Sequence, residues 1–143
     1  MSGTTGVPDN GGVRLSYGVR VARVYDRPGP SDGARVLVDR LWPRGLPKDA
    51  AAWDEWCRQI APSPGLRAWY AHDPALFDEF AARYRSELTG PDQAAALASL
   101  QERCSRQTLT LLTATKALDI SHAAVLACVL SEGREEPRIH TDP

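Results

Sequence analysis

The chain has 143 residues, 43% of them hydrophobic and 24% charged, with a formal net charge of −1. That is enough for one soluble domain, at about 100–200 residues each, with a core that needs no disulfide or metal staple. A charge so near zero excludes a basic nucleic-acid coat and a polybasic membrane anchor, and no apolar run approaches the ~20 residues of a transmembrane helix.

Residues 1–18 carry five glycines with Pro8 and Asn10 and show no apolar periodicity, which predicts a disordered arm. A single domain is expected over 19–140. Residues 19–25 are β-rich and end at Asp26, before a turn rich in proline and glycine that runs to Gly33. A second strand is expected over 35–40. Its apolar centre, Val36-Leu37-Val38, suits a strand covered on both faces. Trp42-Pro43-Arg44-Gly45-Leu46-Pro47, with two prolines and a glycine, cannot be regular structure.

Trp53, Trp56, Cys57 and Ile60 fall at i, i+3, i+4 and i+7, a spacing that predicts a helix over about 49–59. Ser63-Pro64 and Asp73-Pro74 each read as an N-cap followed by the first helical residue. The first opens a short helix bearing Leu66, Trp69 and Tyr70. The second opens one bearing Leu76, Phe77, Phe80, Tyr84 and Leu88, stopped by Gly90. Pro91 starts a further helix that carries Leu97, Leu100 and Cys104 inward. Residues 108–115 (TLTLLTAT) predict a third strand. Residues 116–119 follow as a loop, 121–130 as a last helix, and 138–140 as a short final strand.

Strands alternating with helices predict an α/β fold. The expected architecture is a three-layer, Rossmann-like single domain with a small, mostly parallel sheet of three to four strands flanked by about five helices. The first connection is shorter than the dozen or so residues of an ordinary crossover helix. The first two strands are therefore either antiparallel neighbours or joined by a tight one-turn crossover. Three cysteines, at 57, 104 and 128, have neither disulfide nor zinc-ligand spacing. With no signal-peptide pattern, they fit a reduced cytoplasmic setting.

In open α/β sheets ligands sit beyond the carboxyl ends of the strands, and polar residues gather there in this chain. Arg40 and Arg44 offer forked guanidinium groups to phosphate or carboxylate oxygens. Lys116 supplies a point charge beside the start of the last helix, where Ser121 stands and free N–H groups favour an anion. Lysine is scarce here, 2 residues against 15 arginines, which singles out Lys116. The helix end should depress the pKa of His122 and leave it a neutral base, with Asp39 as its orienter. Trp42, between two arginines, offers a stacking face. Plainer readings stand beside these. Asp39, Arg40 and Arg44 also read as an ion-pair network holding the loop, Ser121 or Asp119 as a helix cap, His72-Asp73 as loop and cap, and Lys116 as a surface lysine.

Four segments, VRVARVYDRP, RVLVDRLWPRGLPKDAA, EWCRQIAPSPGLRAWYAHDPALFDEFAARYRSEL and TLLTATKALDISHAAVL, resemble the domain-of-unknown-function 488 family in its YeaO-like branch. Together they span about residues 19–130. Matched by position, the resemblance carries over Asp39, Arg40, Trp42, Arg44, Ser63, Arg67, Trp69, His72, Asp73, Arg83, Tyr84, Lys116 and His122. It thereby adds His72 to the acid/base candidates. The family's LLYAAKD and NHA are here Leu111 to Ala117 (LLTATKA) and Ser121-His122-Ala123, so a tyrosine, an acidic residue and an asparagine of the pattern are absent.

The resemblance implies no established reaction. The residues themselves lead to a cytoplasmic protein with a small-anion pocket, phosphate- or nucleotide-like, and no cofactor, metal or membrane partner. Whether it turns a substrate over is left open. The alternative is a nucleic-acid-associated or regulatory binding protein, in which Trp42 and the arginines stack on bases and contact phosphates.

Overall fold

The computed structural model describes residues 18–140, so of the arm expected over 1–18 only Gly18 falls within it. Four strands, β1 (Val19–Arg23), β2 (Ala34–Leu37), β3 (Glu55–Trp56) and β4 (Leu109–Thr113), form one all-parallel sheet in the order β1-β4-β2-β3. Four α-helices accompany it: α1 (Pro64–Tyr70), α2 (Phe77–Glu87), α3 (Pro91–Cys104) and α4 (His122–His140). The expected α/β architecture is present.

Strand alternation sorts the core into two. Val36, Val38, Leu109 and Leu111 join a large cluster with apolar residues of all four helices. Their neighbours Leu37 and Leu112 point to the opposite face, where Val24, Ala22, Trp53 and Trp56 cover them. Each fully buried leucine contributes roughly 1.5–3 kcal/mol. That second face is thus closed by loop segments and tryptophans.

Of the two alternatives expected for the connection from β1 to β2, antiparallel neighbours are excluded and a short crossover is what forms. The two strands are parallel but not neighbours, because β4 lies between them. No helix spans the crossover; an ion cluster, buried at Asp32 and Arg35 and half-buried at Arg20, holds it instead. Arg20, Thr110 and Arg35 stand side by side across the three strands, and all three reach Asp32. Arg20 and Arg35 donate to its carboxylate, and the Thr110 hydroxyl donates to its backbone oxygen. Gly33, at φ +63°, lets the chain turn into β2: a Cβ there would lie 2.1 Å from the Thr108 carbonyl oxygen.

The helix expected over 49–59 does not form. A 3-10 turn occupies Lys48–Ala50 and another Arg58–Ile60, with β3 between them. Asp54 N–H donates to the Arg35 carbonyl and Cys57 N–H to that of Leu37, so the segment docks on β2 as an edge strand. Trp56 and Cys57 therefore face opposite sides of the sheet: Trp56 joins the small cluster and Cys57 the large one. The helical spacing of these residues was a coincidence of two separate burials. At the other end, α4 runs on to His140, so residues 138–140 are helical and not a strand.

Caps behave as their residues predict. Ser63 accepts from Leu66 N–H at 3.2 Å with Pro64 at the first helical position, and Asp73 accepts from Ala75 N–H at 3.0 Å. Glu87 clamps the Ser63 cap, taking its N–H at 2.8 Å and its hydroxyl at 2.6 Å.

Candidate functional site

Because every strand is parallel, the chain leaves β1, β4 and β2 at one edge of the sheet. A pocket of about 250 Å³ opens there, and Asp39, Arg40, Trp42, Arg44, Arg67, His72, Thr113 and His122 are among its lining residues. Six of the eight candidates read from the sequence meet in this pocket: Asp39, Arg40, Trp42, Arg44, His72 and His122. Lys116 and Ser121 are not part of its lining.

Asp39 is the hub. One carboxylate oxygen accepts from the Thr113 hydroxyl at 2.7 Å and the other from Ala114 N–H at 2.9 Å, tying the end of β2 to the end of β4. The first oxygen also lies 3.3 Å from His122 Nε2. Trp56 Nε1 donates to the Asp39 carbonyl at 2.7 Å, which fixes the backbone as well.

His122 is the first residue of α4. Its Nε2 sits 3.0 Å from the Val38 carbonyl oxygen, a group that can only accept. This partner selects the tautomer protonated at Nε2 and leaves Nδ1 as an acceptor. The His122 pKa is lowered, and burial is the main cause; Asp39 and the Val38 carbonyl push it back up, while Arg67 and His72 push it further down. The direction agrees with the sequence expectation, but desolvation carries it.

Arg40 reaches across to the loop before α1, where its Nη2 donates to the carbonyls of Ala61 at 3.3 Å and Pro62 at 3.1 Å. Its Nε is buried and has no hydrogen-bond partner among the described residues. Arg44 is held through its backbone, whose carbonyl accepts from the Tyr25 hydroxyl at 2.8 Å. Trp42 braces the same loop: Nε1 donates to the Leu46 carbonyl at 2.6 Å, and its ring meets Trp53 and Trp56 edge-on at 5.1 and 5.7 Å. Trp42 is thus engaged as packing as well as pocket wall.

No ion pair joins Arg40, Arg44 or Arg67 to a carboxylate among the described residues. The reading of Asp39, Arg40 and Arg44 as an ion-pair network therefore does not describe this loop. Carbonyls and tryptophan contacts hold it instead.

His72 enters the pocket from a strained turn. It follows Ala71 at the end of α1, and both adopt left-handed backbone, φ +47° and +58°, with no glycine to relieve it. Each such residue costs on the order of 1 kcal/mol. Ser121 caps α4: its hydroxyl donates to the Leu118 carbonyl at 2.7 Å and accepts from Ala124 N–H at 3.2 Å. Lys116 is exposed, in a tight turn closed by Leu118 N–H on the Lys116 carbonyl. Arg67 joins the pocket from α1; the family resemblance marked it as a matching position but gave it no place at the site. Leu41 and Pro62 line it too, and as apolar loop residues they carried no signal of their own.

The fold and pocket define a small α/β protein with an arginine-rich pocket at the carboxyl edge of a parallel sheet. The chain belongs to the DUF488 family: the family profile DUF488-N3i, described as the inactive DUF488-N3 subclade, matches residues 18–142. It is 52% identical over 113 residues to an uncharacterised protein of Mycobacterium tuberculosis, Rv3073c, and equally to one of Mycobacterium bovis, Mb3100c; the match covers 79% of this chain and 93% of each relative. It is also 40% identical over 109 residues to the uncharacterised protein YeaO of Escherichia coli, covering 76% of this chain and 93% of YeaO. No solved structure matches the chain. No described helix is long and apolar enough to cross a membrane.

Proposed function

We propose that the protein binds a small anion, phosphate- or nucleotide-like, in this pocket. One observation carries the reading. Three arginines, Arg40, Arg44 and Arg67, line the pocket and none is ion-paired with a described residue, while the single carboxylate there, Asp39, has its oxygens taken by Thr113, Ala114 N–H and His122. Unpaired guanidinium groups converging on a concave surface select an anion with several oxygens. The buried, unpartnered Arg40 Nε is a donor that such an oxygen satisfies. His122, kept neutral by burial, stands beside the anion with His72 as the acid/base candidates, but the description of the matching subclade as inactive favours binding over turnover. A cytoplasmic setting suits an odd count of three cysteines with no zinc-ligand spacing.

Thermal unfolding at constant ionic strength tests the proposal. Inorganic phosphate at a hundred times its Kd should stabilise the protein by about 2.7 kcal/mol, with chloride as the control. Arg44→Gln and Arg67→Gln, at exposed side chains, should remove the shift and leave the unliganded melting temperature in place. A melting temperature indifferent to phosphate, alongside salt-resistant binding of DNA, would transfer the pocket to nucleic acid.

A further inference from the structure

The two exposed large apolar side chains among the described residues both sit at the mouth of the arginine pocket. Leu41, 62% exposed, is part of its lining. Tyr25, 40% exposed, lies just outside, with its hydroxyl on the Arg44 carbonyl. Arg23 completes the rim: its guanidinium lies 4.8 Å from the Tyr25 ring centre and donates to the Ala114 carbonyl at 3.1 Å. The chain from Ala114 through Arg23 and Tyr25 to Arg44 thus runs along the pocket edge, held by hydrogen bonds at both ends.

This rim is held by its own hydrogen bonds, and the Leu41 and Tyr25 side chains on it are exposed. The cavity is also too large for its anion. At about 250 Å³ it has room for several waters' worth of volume, roughly 30 Å³ each, beyond a five-atom phosphate.

From the rim and the spare volume together we infer that the ligand is a free phosphomonoester carrying an aromatic ring, the chemistry of a nucleoside monophosphate. The phosphate meets Arg40, Arg44 and Arg67, and the ring rests on Leu41 beside Tyr25. A ring there removes apolar surface from water on both partners, and a planar ring next to Arg23 and Tyr25 gains further stacking attraction. Leu41 and Tyr25 then set specificity, while the arginines hold the charge. The inference rests on the anion-pocket reading above.

Calorimetric titration of the full chain with inorganic phosphate, phenyl phosphate and adenosine monophosphate separates the two. Both aryl-bearing esters should bind at least about fivefold tighter than phosphate, the low end of what one stacked ring contributes. Leu41→Ser should cut that preference, weakening both aryl-bearing esters more than it weakens phosphate. Tyr25→Phe, which keeps the ring, should preserve it. Phosphate binding with no preference for the ring, or a preference undiminished by Leu41→Ser, overturns the inference and leaves the anion pocket standing. Failure of all three ligands overturns both. A 5′-phosphorylated single-stranded oligonucleotide that binds tighter than the mononucleotide overturns the assignment to a free ligand.

Discussion

Replacing Asp39 by Asn separates what this residue does for the fold from what it does to the pocket. The side chain is 18% exposed and accepts two hydrogen bonds, from the Thr113 hydroxyl and Ala114 N–H. Asn keeps the shape. Its carbonyl oxygen retains one of these bonds as a neutral contact, and its amide replaces an acceptor with a donor at the other position. Hydrogen bonds to a charged group contribute about 1.5–3 kcal/mol and neutral ones about 0.5–1.5. Losing the charge at two bonds therefore costs roughly 2 kcal/mol. The same change removes the pocket's own negative charge. For a monoanion about 6 Å away, at an effective dielectric of about 40–80, the relief is roughly 0.7–1.4 kcal/mol. Phosphate should consequently bind about three- to tenfold tighter to a protein that unfolds at lower urea concentration. Urea melts and calorimetric titration of wild type and Asp39→Asn measure both effects. A variant of unchanged stability would refute the hydrogen-bond argument, and one that folds but binds phosphate more weakly would refute the electrostatic one.

Two further outcomes follow from the geometry. Gly33→Ala forces a left-handed alanine whose Cβ meets the Thr108 carbonyl at 2.1 Å, so urea melts should show a loss of at least about 2 kcal/mol; a smaller loss would mean that the turn rearranges freely. His122 has its pKa lowered by burial, so below its ordinary value of 6.5 the unfolded chain binds more protons than the native one. Its contribution is present in full above pH 6.5 and is lost as pH falls from there to the lowered native pKa; His122→Asn should flatten urea-derived stability across this window, and parallel pH profiles for the two proteins would refute the assignment.

Local chemistry made much of this molecule legible from its sequence. Ser63-Pro64 and Asp73-Pro74 announced their turns because a cap and a proline act within four residues. Val36 to Val38 and residues 109–113 read as strands because burial on both faces leaves a continuous apolar run. The polar residues that follow those runs marked the edge where a pocket forms, and six candidates share it. Long-range contacts decided the rest. Residues 53–57 became an edge strand because the hydrogen bonds from Asp54 and Cys57 go to β2, and a two-residue strand shows no period of its own. The position of β4 between β1 and β2 depends on Asp32 meeting Arg20, Thr110 and Arg35, residues up to 78 positions away in the chain. Lys116 and Arg67 exchanged parts for a similar reason: a strand end shows where charge collects, but only the packing of α1 and the turn at 116–118 decide which cation faces the cavity. That Arg40, Arg44 and Arg67 face it with no ion pair to any described carboxylate is a property of the assembled fold, because a guanidinium finds its carboxylate, or fails to, in space.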